Sequence, residues 1–460
     1  MNCAPLIAGQ RAFFQTGATR SLEFRRARLQ ELHRAIEARE PLLLDALHAD
    51  LRKSPRQAYT SEIGFVLSDI RHALRHLPGW MKPQRRRAPL LAWPARGCVR
   101  PEPYGVALIF GPWNYPFQLL LSPLVGALAA GNCAVLKPSE FAPHTADALA
   151  KLVSAAFAED YVAVVRGERA VAEALLHGKF DTIFFTGSTN VGRAVMAAAA
   201  RQLIPVTLEL GGKCPCLVCA DAPPDITARR IAWGKFMNAG QTCVAPDFVL
   251  VDRRARAALV DALKRTLREF YGDDPQKSTD YGRIINRKHF DRLAGYLSAG
   301  RIAHGGQYDP ADLYIEPTIL TDVAADAPVM QEEIFGPILP VLEFDKLDDA
   351  LALLRGRPTP LALYAFTPDR AKQERVLAET GSGGVCLNDT VTHMIGHALP
   401  FGGLGESGMG ACHGKAGFDC FTHYRSVLRR SLVLDPKLRY PPSRSKLATL
   451  KRAYRFLLGS

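Results

Sequence analysis

The 460-residue chain has no apolar run of the roughly 18 to 20 residues that a bilayer-crossing helix needs. Its start, MNCAPLIAGQRAFFQTGATR, lacks a charged segment leading into a continuous apolar one, so no secretory leader is expected. The ten cysteines stand singly or at odd spacings, too thinly spread for a disulfide scaffold. Reduced thiols in the cytoplasm are the simplest reading. There is no internal repeat, no long low-complexity segment, and no RNP, zinc-finger or helix-turn-helix pattern. FFTGSTNVG is neither G-x-G-x-x-G nor a P-loop, whose Lys-Ser/Thr pair it lacks, and His72 and His76 lack the glutamate of H-E-x-x-H. What remains is an ordinary globular composition on a chain long enough for two or three domains.

The net charge of +13 could point to nucleic acid, so its placement matters. Residues 425–460 hold ten Lys/Arg against one acid, Asp435, and residues 82–100 hold six basic residues and no acid. These two segments exceed the whole excess, and the rest of the chain is about neutral. A solvated basic face or a subunit contact accounts for this, with a membrane surface as the next reading; no nucleic-acid partner is expected.

Residues 21–77 read as helical, with Pro55 and Pro78 as punctuation, and 82–103 as an extended arm. The pattern then changes to strand, turn and helix: GVALIFGP, FQLLLSPLVGALAAG, NCAVLKPS, HTADALAKLVSAAFAED, YVAVVRG, FDTIFFTGS, NVGRAVMAAAARQ and IPVTLELGG. Repeated βαβ units predict an α/β fold with a doubly wound parallel sheet. A second α/β region follows from Gly211, where DITARRIAWGKFMNAG reads as an amphipathic helix running to Gly240. PFGGLGESGMG is a late Gly-rich loop before the basic tail.

Several short motifs carry chemistry. GQTCVAP puts Cys243 on a loop, where a nucleophilic thiolate can have backbone N–H groups gathered around the carbon it attacks. Alone, Cys243 reads more readily as a packed thiol. LELGGK ends a strand with Glu209, whose burial would raise its pKa and suit it to general-base work; a salt-bridged acid is the plainer alternative. GPWNYP holds Asn114 in a proline-braced turn, able to donate to an oxyanion or merely to shape the turn. FFTGSTNVG, with Gly187, Ser188 and Gly192, is a strand-to-helix turn that can present N–H groups to a pyrophosphate. KPSE offers Lys137 and Glu140 to a ribose, and EEIFGP offers Glu333 and Phe335 to a ribose and a nicotinamide ring.

GPWNYP, KPSE, FTGSTNVG, LELGGK, GQTC, EEIFGP and PFGGLGESGMG stand in the order used by the NAD(P)-dependent aldehyde dehydrogenase superfamily. The resemblance covers about residues 10–445. RIAWGKFMNAGQTCVAPD, MQEEIFGP and RYPPS resemble class 3, the aromatic and fatty aldehyde dehydrogenases. It implies a Rossmann-type cofactor domain at 1–81 and 103–210 and a catalytic domain at 211–395. A small β bridging arm, with 82–102 and the strand after Phe418 as its candidates, and the Gly-rich loop would occupy 82–102 and 396–435, with a basic tail at 436–460. It also implies a homodimer joined through the arm and oxidation of medium or long aliphatic, or aromatic, aldehydes with NAD or NADP. Cys243 would be the nucleophile, Glu209 the base for hydrolytic water, and Asn114 with the Cys243 N–H the oxyanion hole. Lys137, Glu140 and Glu333 would meet ribose hydroxyls, Ser188 with the Gly187–Gly192 turn the pyrophosphate, and Phe335 the nicotinamide; Glu333 is also a candidate auxiliary base.

No metal is expected: Cys214, Cys216 and Cys219 lie in an apolar strand-like run and read as packed thiols, and His72 and His76 as a solvated helix face. His393, His397 and His413 lie near the Gly-rich loop, either lining a substrate tunnel or hydrogen-bonding there. Leu447, Leu450, Tyr454 and Leu457 form an apolar stripe beside basic residues, fit for weak contact with a membrane surface from the cytoplasm. The competing readings are a CoA-acylating relative, which retention of Glu209 opposes, and a catalytically silent structural paralogue.

Overall fold

Short apolar segments rich in Val, Ile, Leu and Phe become the central strands of two sheets, buried on both faces as parallel strands between helices must be. The computed structural model describes residues 3–89, 92–435, 440–441 and 447–458. In the first sheet, Val106–Phe110 pairs in parallel with Cys133–Lys137 on one side and Thr182–Thr186 on the other. Every residue of these three strands is buried. Val162–Val164 and Val206–Glu209 widen the sheet, and Gly408–Met409 adds an antiparallel edge against Leu208 and Glu209. The Gly-rich loop therefore folds back onto the strand that ends in Glu209.

The second sheet runs Arg301–His304, Thr318–Thr321, Ile338–Phe344, Phe248–Asp252, Pro215–Val218, Ala362–Phe366 and Gly384–Leu387. Only its first strand, at the edge, is antiparallel. Cys214, Cys216 and Cys219 are buried in and beside Pro215–Val218. A third sheet of three antiparallel strands joins Gln84–Arg86, Ala95–Pro103 and Thr422–Arg430. The β arm implied by the resemblance is present, its long strands in register from Pro103↔Thr422 to Ala95↔Arg430.

The N-terminal helical region is built of several pieces and begins before residue 21. Ala4–Gln15, Leu22–Glu37, Glu40–Leu51, Pro55–Ala58 and Gly64–Trp80 follow one another, with a π-helical turn at Tyr59–Ile63. Pro55 opens a helix under a Ser54 cap, as its fixed φ permits. Pro78 does not end one; it sits inside the last turn of Gly64–Trp80. The stretch before Cys243 also differs from the single helix expected. Pro224–Phe236 is helical and mostly buried, and a separate 3-10 turn, Met237–Gly240, follows it. There Asn238, Ala239 and Gly240 have φ of 54°, 51° and 75°, which breaks helical periodicity. In the tail, Leu447–Leu458 is a helix with Leu447 and Tyr454 exposed; the side chain of Leu457, and most of RYPPS, lie outside the described residues.

Candidate active site

The left-handed turn at 238–240 leads into Gln241 and delivers Thr242 and Cys243 to the wall of a cavity of about 250 Å³. Asn238 stays in this costly backbone conformation because its side-chain amide donates to the carbonyls of Asn114 (2.9 Å) and Gln241 (3.1 Å). Gln241 spans the gap to the next segment, donating to Asn238 O (3.1 Å) and Arg283 O (2.9 Å) and accepting from Ile285 N–H (3.0 Å). Behind the loop, Cys214 Sγ donates to the Cys243 carbonyl at 3.3 Å. The Cys243 thiol is held well above its ordinary pKa, first by burial and then by the charges of Glu333 and Glu209. It is therefore a thiol at neutral pH and needs a base before it can attack.

Glu209 ends its strand inside the same cavity. It is buried, and neither carboxylate oxygen has a hydrogen-bond partner among the described residues. Burial lifts its pKa well above the carboxylate range, and the neighbouring Cys412 thiol offsets this only in part. A buried, unpartnered carboxylate facing a thiol across a cavity is a costly feature that packing alone does not explain. Glu333 lies on the other side of Cys243, packed so closely on Gly211 that a Cβ there would collide with its carboxylate. Burial and Asp247 push Glu333 up to about 8.

Asn114 is buried, but it does not line the cavity surface itself. Its Nδ2 donates to Gln241 O at 3.0 Å, which leaves its second N–H uncommitted. The turn that carries it is held from beneath by residues the sequence did not single out. Lys53 and Glu62 form a fully buried ion pair at 2.5 Å, with Lys53 Nζ also donating to Asn114 O (2.8 Å). Glu62 Oε2 accepts from the backbone N–H groups of Phe117 (2.9 Å) and Gln118 (3.2 Å). Lys53 lies 4.1 Å from the ring centre of Tyr115, whose hydroxyl meets Thr242 Oγ1 at 2.7 Å. A second unheralded group is Lys235, buried, with no partner for its ammonium among the described residues, and pushed down to about 8, mainly by burial. No local spacing marks these residues; their partners are many positions away or in the other sheet.

The cofactor-side residues cluster at the carboxyl ends of the first sheet. Lys137 is buried, with its ammonium on Pro138 O (2.8 Å) and Glu140 (3.4 Å), leaving one donor free. Glu140 itself is exposed. Ser188 precedes helix Thr189–Ala200 without capping it, so the first-turn N–H groups face outward, as an anionic pyrophosphate requires. Gly187 and Gly192 act differently. Their N–H groups go to Glu209 O (3.0 Å) and Ser188 O (2.9 Å), and a Cβ on either would strike Phe185 or Leu210. Phe335, at φ 52°, packs edge-on to Trp113 at 5.3 Å, and Arg292 holds its loop through Glu333 O and Ile334 O. A free helix N-terminus, a spare ammonium donor and a flat apolar ring fit a dinucleotide.

The cavity wall is mostly apolar: Phe65, Leu119, Trp233, Met237, Met394 and Phe401 contribute, among others. His413 lines it; His393 and His397 do not, although Met394 and Ile395 between them do. His72 lines it too, stacked against His397 (4.4 Å) and tilted against His76 (4.1 Å), so the solvated-face reading of His72 is corrected.

The sequence profile of the aldehyde dehydrogenase family matches residues 6–427. The chain belongs to the aldehyde dehydrogenase family. It is 50% identical to human aldehyde dehydrogenase family 3 member B1, over 94% of this chain and 93% of that protein. It is 46% identical to the dimeric NADP-preferring aldehyde dehydrogenase of Rattus norvegicus, over 95% and 97%. A solved structure described as a substrate-bound state of Staphylococcus aureus AldH superposes with a TM-score of 0.96 at 44% identity, covering 98% of this chain and 99% of that one. Class 3 membership, aldehyde oxidation and use of NAD or NADP follow for this chain. Among the described residues, no helix is long and apolar enough to cross a membrane.

Proposed function

We propose that this aldehyde dehydrogenase oxidises medium or long aliphatic, or aromatic, aldehydes to carboxylic acids through a thioester on Cys243. The observation that carries the assignment is Glu209, a buried carboxylate without a partner, in the same apolar cavity as Cys243. The Cys243 sulfur, once its proton has passed to a carboxylate, adds to the aldehyde carbon. Charge gathers on the former carbonyl oxygen, where the spare N–H of Asn114 and the Cys243 backbone N–H serve it. NAD or NADP, when bound, supplies the hydride acceptor, with Lys137 and Glu333 at its riboses, Glu140 beside Lys137, and the Ser188 turn at its phosphates. Water then attacks the thioester carbon while Glu209 takes one of its protons, and the C–S bond breaks to release the acid and the thiolate.

A second reading of the base rests on Glu333, whose charge acts on Cys243 more strongly than that of Glu209. Glu333 as the group that first takes the thiol proton, and Glu209 as the group that activates water, divide the work between them. The three-stranded arm and the dimeric relative support a homodimer, and the basic tail helix supports a weak hold on anionic membrane surfaces from the cytoplasm.

The test is the absorbance of reduced cofactor on mixing the protein with NAD or NADP and a panel of aldehydes, beside Cys243→Ala. Signal in the wild type alone, with free acid as product, supports the reading. Acyl-CoA formed on adding CoA, or no signal with any aldehyde despite bound cofactor, refutes it.

A further inference from the structure

Helix Gly64–Trp80 turns Phe65, Asp69, His72, Ala73 and Trp80 toward the aldehyde cavity, one face at helical spacing. In that apolar wall Asp69 is out of place. It is 8% exposed, and its Oδ2 accepts from Ser122 Oγ at 2.6 Å. Its Oδ1 lies at ion-pair distance, 3.1 Å, from His397 Nδ1 but out of line for a hydrogen bond, and no other donor among the described residues reaches it. His397 is turned through its other nitrogen to Ser68 Oγ (3.1 Å).

His413, also 8% exposed and lining the cavity, stacks on Phe401 with its Nδ1 unpartnered. Burial keeps the His413 and His72 rings neutral. Most hydroxyl donors of the same wall are spent elsewhere, Thr186 Oγ1, unpartnered among the described residues, being the exception. Thr60 and Ser61 donate to the backbone carbonyls of Arg56 and Gln57, Ser122 to Asp69, and Tyr115 and Thr242 meet each other. Asp69 Oδ1 thus stands as an unmet acceptor in a mostly apolar wall, which also carries two uncommitted donors, Gln118 Nε2 and Thr186 Oγ1. A buried acceptor left without a donor is costly, so a ligand that brings a donor is favoured over one that does not.

We propose that Asp69 and His413 form a subsite for a hydroxyl group carried on the substrate away from its aldehyde, so that this enzyme prefers hydroxyalkanals to plain alkanals of equal length. The inference rests on the assignment of Cys243 as the group that takes the aldehyde carbon in this cavity. A hydroxyl meets the subsite without carrying a charge into the cavity, and an ω-carboxylate is repelled by Asp69.

The experiment compares kcat/KM for ω-hydroxyalkanals, n-alkanals and ω-carboxyalkanals across a series of chain lengths. It uses the full chain with NAD or NADP, as wild type, Asp69→Leu and Asp69→Asn. The wild type should favour the hydroxyalkanal at its best length by about tenfold or more. That ratio should collapse toward one in Asp69→Leu and shrink in Asp69→Asn, while use of the ω-carboxyalkanal rises relative to the alkanal in both. If Asp69→Leu does not fold, Asp69→Asn carries the comparison, since it keeps an acceptor for Ser122. A wild-type ratio near one at every length, or a ratio that Asp69→Asn leaves intact, overturns the subsite alone. No turnover of any aldehyde by the wild type overturns both the subsite and the assignment of Cys243.

Discussion

Two carboxylates flank the proposed nucleophile, and burial raises both, yet their surroundings give them different work. Glu209 has no hydrogen-bond partner and opens on the cavity, where an attacking water must stand. Glu333 lies against the Gly211 backbone, within reach of the charges of Lys213 and Lys235. Glu209→Gln should therefore leave thioester formation largely intact and slow its hydrolysis by about 10²–10⁴-fold, the usual worth of a positioned general base. Rapid mixing should then show a burst of reduced cofactor followed by little turnover; equal loss of burst and steady rate would assign Glu209 to the first step instead. Glu333, raised to about 8, is protonated at neutral pH and becomes a base only as pH climbs through that value. Its contribution to thiol activation should rise with pH and level off above about 8, and Glu333→Gln should flatten that limb of the burst-rate profile. At this scale the sequence was informative, because each motif residue ends a strand or sits in a Gly- or Pro-shaped turn. Asp69, Lys53 and Lys235 were not legible: no local spacing marks them, and Asp69 and Lys53 meet Ser122 and Asn114, which lie more than 50 residues on.

The elements show the same division. Strands such as Val106–Phe110 and Thr182–Thr186 were readable as continuous apolar runs, since burial on both faces removes polar residues from them. The 3-10 turn at Met237–Gly240 was not, because helix propensity there is overruled by the Asn238 side chain and by close packing. The arm's β character came from the family resemblance, since Ala95–Pro103 finds its long partner, Thr422–Arg430, more than 300 residues later and no local pattern joins them. What fixes the Asn114 turn is the Lys53–Glu62 pair, wholly out of water. Lys53→Met should strand a buried carboxylate and cost about 3–5 kcal/mol, lowering the urea midpoint. Adding Glu62→Gln to that variant should recover part of the loss, because a neutral amide is cheaper to bury than an unpaired charge. A midpoint unmoved by Lys53→Met would show that the turn stands without the pair.

For the whole molecule, charge and exposed apolar surface collect at the arm and the tail, far in sequence from the chemistry. The tail helix Leu447–Leu458 carries Lys451, Arg452 and Arg455 beside exposed Leu447 and Tyr454. If it grips anionic membranes, deleting residues 440–460 should abolish sedimentation with phosphatidylserine vesicles at low salt; unchanged sedimentation would end that idea. The arm makes a different demand. Just past Thr422–Arg430, Leu432, Val433 and Leu434 are 99%, 91% and 51% exposed, and Leu428 on the strand is 55% exposed. A run of this kind in water invites association, and in a homodimer it has a partner to bury it. Placing aspartates at Leu432 and Val433 should turn a dimeric mass in light scattering into a monomeric one. Because the arm's strands end at Arg430 and the catalytic cavity is built from other segments, the monomer should keep its cavity while losing stability. A dimer that survives both charges would place the contact on another face of the arm.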